Sequence, residues 1–568
     1  MLPYPFANEQ LIGLIHKVDG NSVDVLLPYA ATLPQNYHGQ QIESGLVGQF
    51  LIIDVGGVAL FGRLLEVSTP QPELRSLTMD GAQLEVRAVG HIQLLATLYL
   101  NGMFARGLVR HPKVGDSVYS ASRPALEAVI SGVGHSEVAS TEPALEMGHL
   151  SSGYDVPVAI SASKLFGRHL AVLGATGSGK SWTLAHLMEQ VSHHSGRLIL
   201  LDATGEFSSL GILAKHVSLG STAGEPDNTL RTALPHHEFG EADRHAFLRP
   251  SGGVQLPKLR SAIRSLRLAH LLGNDHELVN DAGNIVKRKK ERKPFVVAER
   301  ENAHAMDDPY APFSLKALPA QIGYECVYDT DRSVITHFGD FAMNDAAYCN
   351  SLVSRVIDML QTDVVTEVID PNVETPSIFE VIEAWFADST SPSILRVSLR
   401  NLAFSHSIRE ICVNTIGRRL LAMAREGTYL RDPLIVIIDE AHQFFGKTVG
   451  DEFTSTALDA FDTIAKEGRK YGLTVCMATQ RPGDIPTGVL SQAGMLIVHR
   501  LADKRDQDRV EQAASELDQS ALKLLPALTS GEALLVGADF PVPLPVQMTA
   551  PEHKPESLGP NYASWHLR

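Results

Sequence analysis

The sequence lacks several features that would place it in a membrane or outside the cell. It has no apolar run of about 18 residues or more, so we expect no membrane-spanning helix. Residues 1–5 lack the basic and apolar segments of a signal peptide, which predicts a cytoplasmic protein. Cysteine is scarce, and Cys326, Cys349, Cys412 and Cys476 form no C-x-x-C pair. We therefore expect reduced core thiols rather than disulfides or a zinc site.

Positive charge is also in deficit, because 49 Lys and Arg residues face 65 Asp and Glu residues and leave a net charge of −16. This balance argues against a protein that coats nucleic acid over its outer surface. It is compatible with DNA held in a narrow basic channel, since net charge does not describe distribution. The length of 568 residues and the hydrophobic content of 44% predict several domains with sizeable cores.

The most informative stretch is the spacing G-x-x-x-x-G-K-S at residues 174–181, between an apolar run at 170–173 and a helical pattern at 182–191. Its glycines would let backbone N–H groups turn toward a β-phosphate, and Lys180 would reach the β- and γ-phosphates. The hydroxyl of Ser181 would take a Mg²⁺ position. The predicted nucleotide-binding residues of this P-loop are Gly174, Ala175, Thr176, Gly177, Ser178, Gly179, Lys180, Ser181 and Trp182.

A second apolar run, residues 434–438, ends in two carboxylates, Asp439 and Glu440. After a P-loop, this is the Walker B arrangement: Asp439 would hold Mg²⁺ through water, and Glu440 would polarise the attacking water as general base. A further buried strand pattern at 473–478 leads to Gln480, whose amide would sense the γ-phosphate or orient water. Together these features predict an ATPase that uses ATP and Mg²⁺.

The ends of the chain carry different patterns. Residues 1–115 contain short strands with turn signals, beginning with a hairpin around Asp19-Gly20-Asn21, and predict a small β-barrel without a catalytic cluster. Residues 116–166 are a predicted connector. The Pro-rich residues 551–568 are predicted to form an irregular C-terminal tail.

The middle of the chain predicts an α/β core interrupted by an insertion. Residues 167–209 and 396–550 carry the buried strand patterns of a parallel sheet. Residues 210–395 are too long for a loop, and helical periodicity within them predicts a helical insertion. The periodic stretches are residues 243–248, 258–272 and 346–360.

Two polar stretches leave their role open. Asp202 and Glu206 follow the apolar run 198–201, at the strand end where α/β sheets bind ligands, and are candidates near the phosphates. A simple turn with a helix cap is an equally good interpretation of them. The basic run at residues 287–293 could contact DNA phosphates or form a solvated tip.

The order of these motifs resembles that of the HerA-type hexameric ATPases, DNA translocases of the HerA–FtsK P-loop superfamily. The resemblance covers nearly the whole chain, and its phrases are residues 165–169, 174–181, 202–207, 439–442, 467–472, 479–482 and 531–533. It implies an α/β P-loop NTPase (RecA-like) core with an N-terminal small β-barrel and a helical insertion. It also implies a homo-hexamer with ATP at the subunit boundaries and double-stranded DNA in a central channel.

In such a ring, an arginine of one subunit would reach the nucleotide of the next and stabilise charge in the transition state. Arg168, Arg469 and Arg500 lie on motif positions suited to this role, and Arg469 is the preferred residue. For each of them a surface salt bridge is the alternative. The resemblance further implies a partner docked on the barrel: a NurA-like nuclease, a sirtuin-like NAD-hydrolase or another nuclease effector, in DNA-end processing or antiviral defence.

Two functions fit this reading. The leading one is an ATP-driven double-stranded DNA translocase or helicase, which the complete hydrolytic set favours. The alternative is an ATP-switched scaffold that assembles and activates an effector with little DNA pumping, which the acidic net charge favours. Stimulation of ATP hydrolysis by DNA would separate them.

Overall fold

The computed structural model describes residues 5–28, 35–37, 40–42, 45–69, 88–101, 103–134, 142–151, 155–371, 374–402, 407–450, 455–514, 519–538 and 540–556. The predicted C-terminal tail therefore lies outside the described residues from position 557 onward. The chain divides into two compact units. The first contains Met1–His194 and Cys476–Lys554, and the second contains Ser195–Val475 and Pro555–Arg568.

The strands, in chain order, are β1 (Leu11–Val18), β2 (Ser22–Leu27), β3 (Gln35–Tyr37), β4 (Gln40–Ile42), β5 (Phe50–Asp54), β6 (Val58–Ser68), β7 (Ala88–Tyr99), β8 (Phe104–Arg106), β9 (Ser117–Ser120), β10 (Ala144–Leu150), β11 (Pro157–Ser161), β12 (His169–Leu173), β13 (Arg197–Asp202), β14 (Ala214–Leu219), β15 (Leu230–Thr232), β16 (Ile394–Ser398), β17 (Leu434–Ile438), β18 (Lys447–Val449), β19 (Thr456–Leu458), β20 (Leu473–Thr479), β21 (Ala493–His499), β22 (Glu532–Gly537) and β23 (Phe540–Met548).

The α-helices are α1 (Arg123–Gly134), α2 (Ala162–Phe166), α3 (Lys180–His193), α4 (Glu241–Leu248), α5 (Gln255–Leu272), α6 (Arg292–Glu301), α7 (Ala303–Asp307), α8 (Leu318–Tyr324), α9 (Met343–Leu360), α10 (Ile378–Ala387), α11 (Ile408–Arg425), α12 (Ala460–Glu467), α13 (Thr487–Leu490), α14 (Lys504–Ala513) and α15 (Gln519–Leu522).

In the first unit, six antiparallel strands close into a barrel in the order β2, β1, β9, β5, β6 and β7, and β7 pairs back with β2. Buried and partly exposed residues alternate along most of β7, as expected of a strand with one face toward a core. The inward side chains are aliphatic and include Ile12, Val25, Leu60 and Ile92. Since β9 spans Ser117–Ser120, the strands of the barrel extend past residue 115.

The rest of the first unit is an α/β layer. Its strands lie in the order β11, β10, β23, β22, β21, β12 and β20. Strand β12 lies between β20 and β21 and is parallel to both, and the strands from β22 outward are antiparallel. Strand β12 is buried along its whole length, so its carboxyl end fixes the start of the P-loop.

The second unit has its own parallel strands, in the order β17, β13, β16, β14 and β15. Strands β13, β16 and β17 are almost entirely buried apolar runs, which is typical of parallel strands covered on both faces. Helices α4 to α10 come between β15 and β16 along the chain. One of their cores contains Leu268, Ile285, Phe295 and Met306.

The predicted fold class is confirmed: an α/β P-loop core carries an N-terminal small β-barrel and a helical insertion. The four cysteines are buried free thiols. Among the helices of the described residues, none combines the length and apolarity needed to cross a bilayer.

Candidate functional site

The P-loop is a tight turn between β12 and α3. Gly177 has φ of 73° and Gly179 has φ of 113°, which lie in the left-handed region that glycine adopts without a steric penalty. A Cβ on Gly174 would lie 2.5 Å from Ser178 Oγ and 2.6 Å from His499 Cβ. Helix α3 begins at Lys180, so its first N–H groups face the loop and favour an anion there. The local sequence therefore builds a glycine turn in front of a helix N-terminus, which is the backbone geometry that the predicted phosphate site requires.

Residues near the C-terminal end of the first unit hold this loop from outside. The N–H of Gly531 donates to the carbonyl of Ser178 at 3.0 Å, and Ser530 Oγ donates to the carbonyl of Gly177 at 3.4 Å. A Cβ on Gly179 would lie only 3.0 Å from the backbone of Gly531. We call residues 530–531 the P-loop clasp, because they fix the loop through its backbone.

Gln480 follows β20 and lies beside the P-loop, while its predicted role at the γ-phosphate stays a prediction. Its Oε1 accepts a hydrogen bond of 2.5 Å from Thr176 Oγ1. Lys180 is buried, with 8% of its surface exposed, and Ser181 is half-buried beside it. Trp182 is 43% exposed, and Lys554 Nζ lies 5.5 Å from the centre of its ring. An aromatic face at the start of α3 could stack on a nucleotide base.

His499 was not predicted as a site residue, yet it lies directly behind the P-loop. Its Nδ1 donates to the carbonyl of Glu532 at 3.0 Å, and its Nε2 then accepts from Thr183 Oγ1 at 2.9 Å. Burial, with a smaller contribution from the charge of Lys180, lowers the pKa of His499 to about 4. The sequence did contain a signal for this role, because His499 ends a buried strand of the core, where an imidazole is kept neutral.

The three predicted arginines lie at different places. Arg500 follows β21 and is exposed, while its carbonyl accepts from the N–H of Ala175 at 3.0 Å. Arg168 is half-buried just before β12. Arg469 belongs to the second unit, where it is exposed in the short turn Gly468–Tyr471. Exposure leaves Arg469 and Arg500 able to reach another molecule, and a role in trans stays a prediction for all three.

In the second unit, Asp439 and Glu440 follow β17 as predicted. Asp439 is buried, its N–H donates to the carbonyl of Leu201 at 3.2 Å, and Thr204 Oγ1 lies 3.5 Å from its Oδ2. Glu440 has φ of 50° and ψ of 44°, and its Oε2 lies 3.2 Å from Nδ1 of His442. The left-handed backbone conformation costs a residue such as glutamate about 1 kcal/mol or more of conformational free energy. Backbone strain of this kind concentrates at functional sites.

Asp202 is tied into its own loop. Its Oδ1 accepts from the N–H of Gly205 at 2.8 Å, and its Oδ2 accepts from the N–H of Phe207 at 3.2 Å. Arg396 Nε also donates to Oδ2 at 2.8 Å, and Arg396 Nη1 donates to Glu225 Oε2 at 2.6 Å. The side chains of this Asp202–Arg396–Glu225 triad are fully buried. The contacts give Asp202 a structural role.

Glu206, in the same loop, is half-buried, and its carbonyl accepts from the N–H of Glu556 at 2.8 Å. For both Glu206 and Asp202, a position at the phosphates stays a prediction. The triad itself joins β13, β16 and the segment after β14, so no local motif could have indicated it.

Three of the six basic residues in the run at 287–293 are paired with carboxylates. Lys287 Nζ lies 2.9 Å from Glu325 Oε2, and both side chains are nearly buried. Arg288 and Lys289 contact the two oxygens of Asp340 at 2.7 and 3.3 Å. The N–H of Phe341 and the guanidinium of Arg288 lower the pKa of Asp340 to about 2. Pairing of this kind favours the structural interpretation of the run over DNA contact.

Metal binding rests on the predicted pair Ser181 and Asp439. A hydroxyl after the P-loop lysine and a buried carboxylate at a strand end are oxygen donors of the kind that Mg²⁺ prefers. Within the part of the chain that the structure describes, three or more His, Cys, Asp or Glu side chains nowhere gather into a metal site. Each of the two donors is of a type that suits Mg²⁺, and coordination of Mg²⁺ by this pair stays a prediction.

The P-loop after β12 and the carboxylate pair after β17 define a P-loop ATPase. The family described as "Helicase HerA, central domain" matches residues 145–282, and "Helicase HerA-like C-terminal" matches residues 423–560. These two matches, in the expected order, support assignment of the chain to the HerA-type ATPases of the HerA–FtsK P-loop superfamily.

Individual relatives carry related names. The chain is 28% identical to the DNA double-strand break repair helicase HerA of Sulfurisphaera tokodaii, over 72% of this chain and 70% of that protein. It is 24% identical to the HerA helicase of Sulfolobus acidocaldarius, over 90% of each chain. Among solved structures it is similar to the bacterial conjugative coupling protein TrwB, with 16% identity, 74% of this chain and 92% of that chain covered, and a TM-score of 0.41.

Proposed function

We propose that this protein is a ring-forming, ATP-driven motor that moves double-stranded DNA through a central channel. The observation that carries the proposal is the hydrogen bond between Thr176 in the P-loop and Gln480. It joins the P-loop to a polar side chain at the end of the neighbouring strand β20. Such a contact could report the state of the γ-phosphate to the rest of the chain.

The proposed chemistry needs positioning and neutralisation of charge more than covalent steps. Lys180 would hold the β- and γ-phosphates, and Ser181 and Asp439 would hold Mg²⁺, which neutralises charge on the phosphate oxygens. Glu440 would orient and deprotonate the attacking water, with His442 at 3.2 Å holding its carboxylate. Arg469 would act on the nucleotide of the next subunit in a homo-hexamer.

DNA as the substrate is supported by the names of the relatives, which are called DNA double-strand break repair helicases. The net charge of −16 restricts where DNA could lie. A confined channel concentrates a few basic groups on the duplex and leaves the outer surface acidic.

The barrel is the proposed docking face for a partner, either a NurA-like nuclease or a sirtuin-like or nuclease effector. Leu14 and Leu26 lie opposite each other on β1 and β2, and both are more than 40% exposed. Leu11 on the same strand is 38% exposed. Exposed aliphatic side chains grouped on the outer face of one strand pair are typical of a protein-binding surface rather than of a solvated one.

Hydrolysis of ATP with and without linear duplex DNA tests the motor. We expect DNA to stimulate the wild type several-fold and Lys180→Ala to hydrolyse less than about a hundredth as fast, because the loss removes charge stabilisation from the phosphates. Lys523→Ala changes an exposed lysine outside the predicted site and is the matched control. If DNA does not change the rate of hydrolysis, the ATP-switched scaffold explains the protein better than the motor does.

Docking is tested separately by co-purification with a co-expressed candidate nuclease. Leu14→Asp with Leu26→Asp should abolish co-purification, since each introduces a charge on the proposed face. Ile335→Asp alters a side chain that is 78% exposed in the insertion and should have no effect. Partner retention by the double variant would move the docking face away from the barrel.

A further inference from the structure

The insertion contains a pocket that the ATPase mechanism does not use. Its volume is about 310 Å³, within the range of small-molecule sites. Four arginines contribute to its lining, from α4 and α5: Arg244, Arg260, Arg264 and Arg267. Glu241 and Asp307 are the only carboxylates among the lining residues, so the lining has two more positive than negative side chains. Asp243 and Asp308, outside the lining, offset part of this charge at Arg244 and Arg267.

The two outer arginines are paired with these carboxylates. Arg260 contacts Glu241 at 2.6 Å, and Arg264 contacts Asp307 at 2.7 Å. All four of these side chains are more than 40% exposed, so each pair can open at little cost when a stronger anion arrives. They form a rim that is adaptable rather than fixed.

The two inner arginines are different. Arg244 and Arg267 are 7% and 8% exposed, and their hydrogen bonds go to backbone carbonyls. Arg267 donates to the carbonyls of Met306 and Pro309, at 3.0 and 2.6 Å, and Arg244 donates through Nη1 to those of Phe239 and Pro309. Carbonyl dipoles satisfy N–H groups but do not neutralise two like charges.

The electrostatics agree with this geometry. Burial, and secondarily the charge of Arg267, lowers the pKa of Arg244 to about 10. Burial also lowers the pKa of Arg267 and that of His245, which leaves the nearby imidazole neutral at physiological pH. Two buried guanidinium groups that repel each other would be stabilised by a dianion more than by water.

We infer that this pocket binds the phosphate group of a small phosphorylated ligand through Arg244 and Arg267, with Arg264 and Arg260 closing over it from the rim. Guanidinium forks match phosphate oxygens and give charge-assisted hydrogen bonds. The apolar side chains of Leu259, Ile263 and Met306 line the remaining wall and suit a compact organic part. The pocket is half open, and a concave site of this size accommodates a small molecule better than a continuous DNA backbone.

Calorimetric titration of the full chain with pyrophosphate tests the inference. The Lys180→Ala background weakens binding at the P-loop, so that the pocket can be measured alone. In that background we expect one pyrophosphate per chain, and at least tenfold weaker binding when Arg264→Gln is added. Arg300→Gln, an exposed arginine of α6 outside the pocket, should leave the affinity unchanged.

Replacing both inner arginines by glutamine should abolish the site, and a circular dichroism spectrum identical to that of the background shows whether this variant is folded. If it does not fold, the Arg264→Gln and Arg260→Gln variants decide alone. Pyrophosphate binding that none of these changes weakens would overturn the site. Competition between pyrophosphate and a short DNA duplex, lost in Arg264→Gln, would overturn the small-ligand assignment in favour of DNA phosphate. The test does not depend on ATP hydrolysis, so the site and the motor can fail independently.

Discussion

Protonation of His499 should open the P-loop region of the protein at mildly acidic pH. The imidazole is buried behind the loop with a pKa of about 4, whereas an ordinary histidine has 6.5. Because the folded-state pKa is the lower one, the unfolded chain binds the proton more tightly. The contribution of neutral His499 to the stability of the folded state is therefore complete above about pH 6.5 and is lost as the pH falls toward 4.

The size of the effect follows from these two values. At about pH 5, nearly every unfolded chain carries the proton on His499, but only about a tenth of the folded chains do. Between about pH 7 and pH 5, the free energy of opening should fall by about 2 kcal/mol because of this residue, which is about thirtyfold in the opening equilibrium.

Hydrogen exchange of the segment 169–193, corrected for intrinsic rates, measures this opening. His499→Gln can keep both hydrogen bonds but cannot be protonated, so its exchange should lack the thirtyfold acid-dependent increase. His194→Gln changes an exposed histidine at the end of α3 and should behave like the wild type. An equal acid-dependent loss of protection in wild type and His499→Gln would refute the assignment of the proton to His499.

Three further results are expected. Neither the Glu440→Gln variant nor the Arg469→Ala variant should hydrolyse ATP alone, but rings mixed from the two should. Co-purification of differently tagged chains shows that subunits exchange between rings. Subunit exchange without recovered hydrolysis would mean that Arg469 acts in cis. Arg396→Met should lower the free energy of unfolding of the second unit by about 3 kcal/mol or more in urea titration, because two buried carboxylates lose their partner. The control variant Arg400→Met removes an exposed arginine and one hydrogen bond to a carbonyl, and should lower the free energy of unfolding by less than about 1.5 kcal/mol. An equal loss of unfolding free energy in the two variants would contradict the stabilising role of the triad. Replacing the basic residues at 287–290 and 292 by glutamine should leave the salt dependence of DNA binding unchanged, and a slope lower by about 0.9 per contact would restore the DNA interpretation.

Features encoded by neighbouring residues could be predicted from the sequence. The P-loop is one, since strand, glycines and helix are contiguous. The hairpin around residues 19–21 is another, and β1 and β2 flank it. The periodic stretches 243–248, 258–272 and 346–360 lie within α4, α5 and α9, because an amphipathic face is a local property.

Features that depend on distant partners could not be predicted. Strands β10 and β11 lie in the predicted connector, yet β10 pairs with β23, almost 400 residues later. Strands β14 and β15 likewise lie in the predicted insertion and pair in the sheet of the second unit. The burial of Arg396 between two carboxylates and the position of His499 behind the P-loop also require the folded chain.

The P-loop clasp has a consequence for how the nucleotide site matures. Ser530 and Gly177 are 353 residues apart, so the ribosome makes the P-loop long before the segment that fixes it. Until Ser530 and Gly531 arrive, the carbonyls of Gly177 and Ser178 lack these donors, and β21 lacks the neighbouring hairpin of β22 and β23. A chain interrupted upstream of residue 530 would thus carry the entire P-loop sequence without a rigid cradle. We therefore expect firm nucleotide binding to be a late event in biosynthesis.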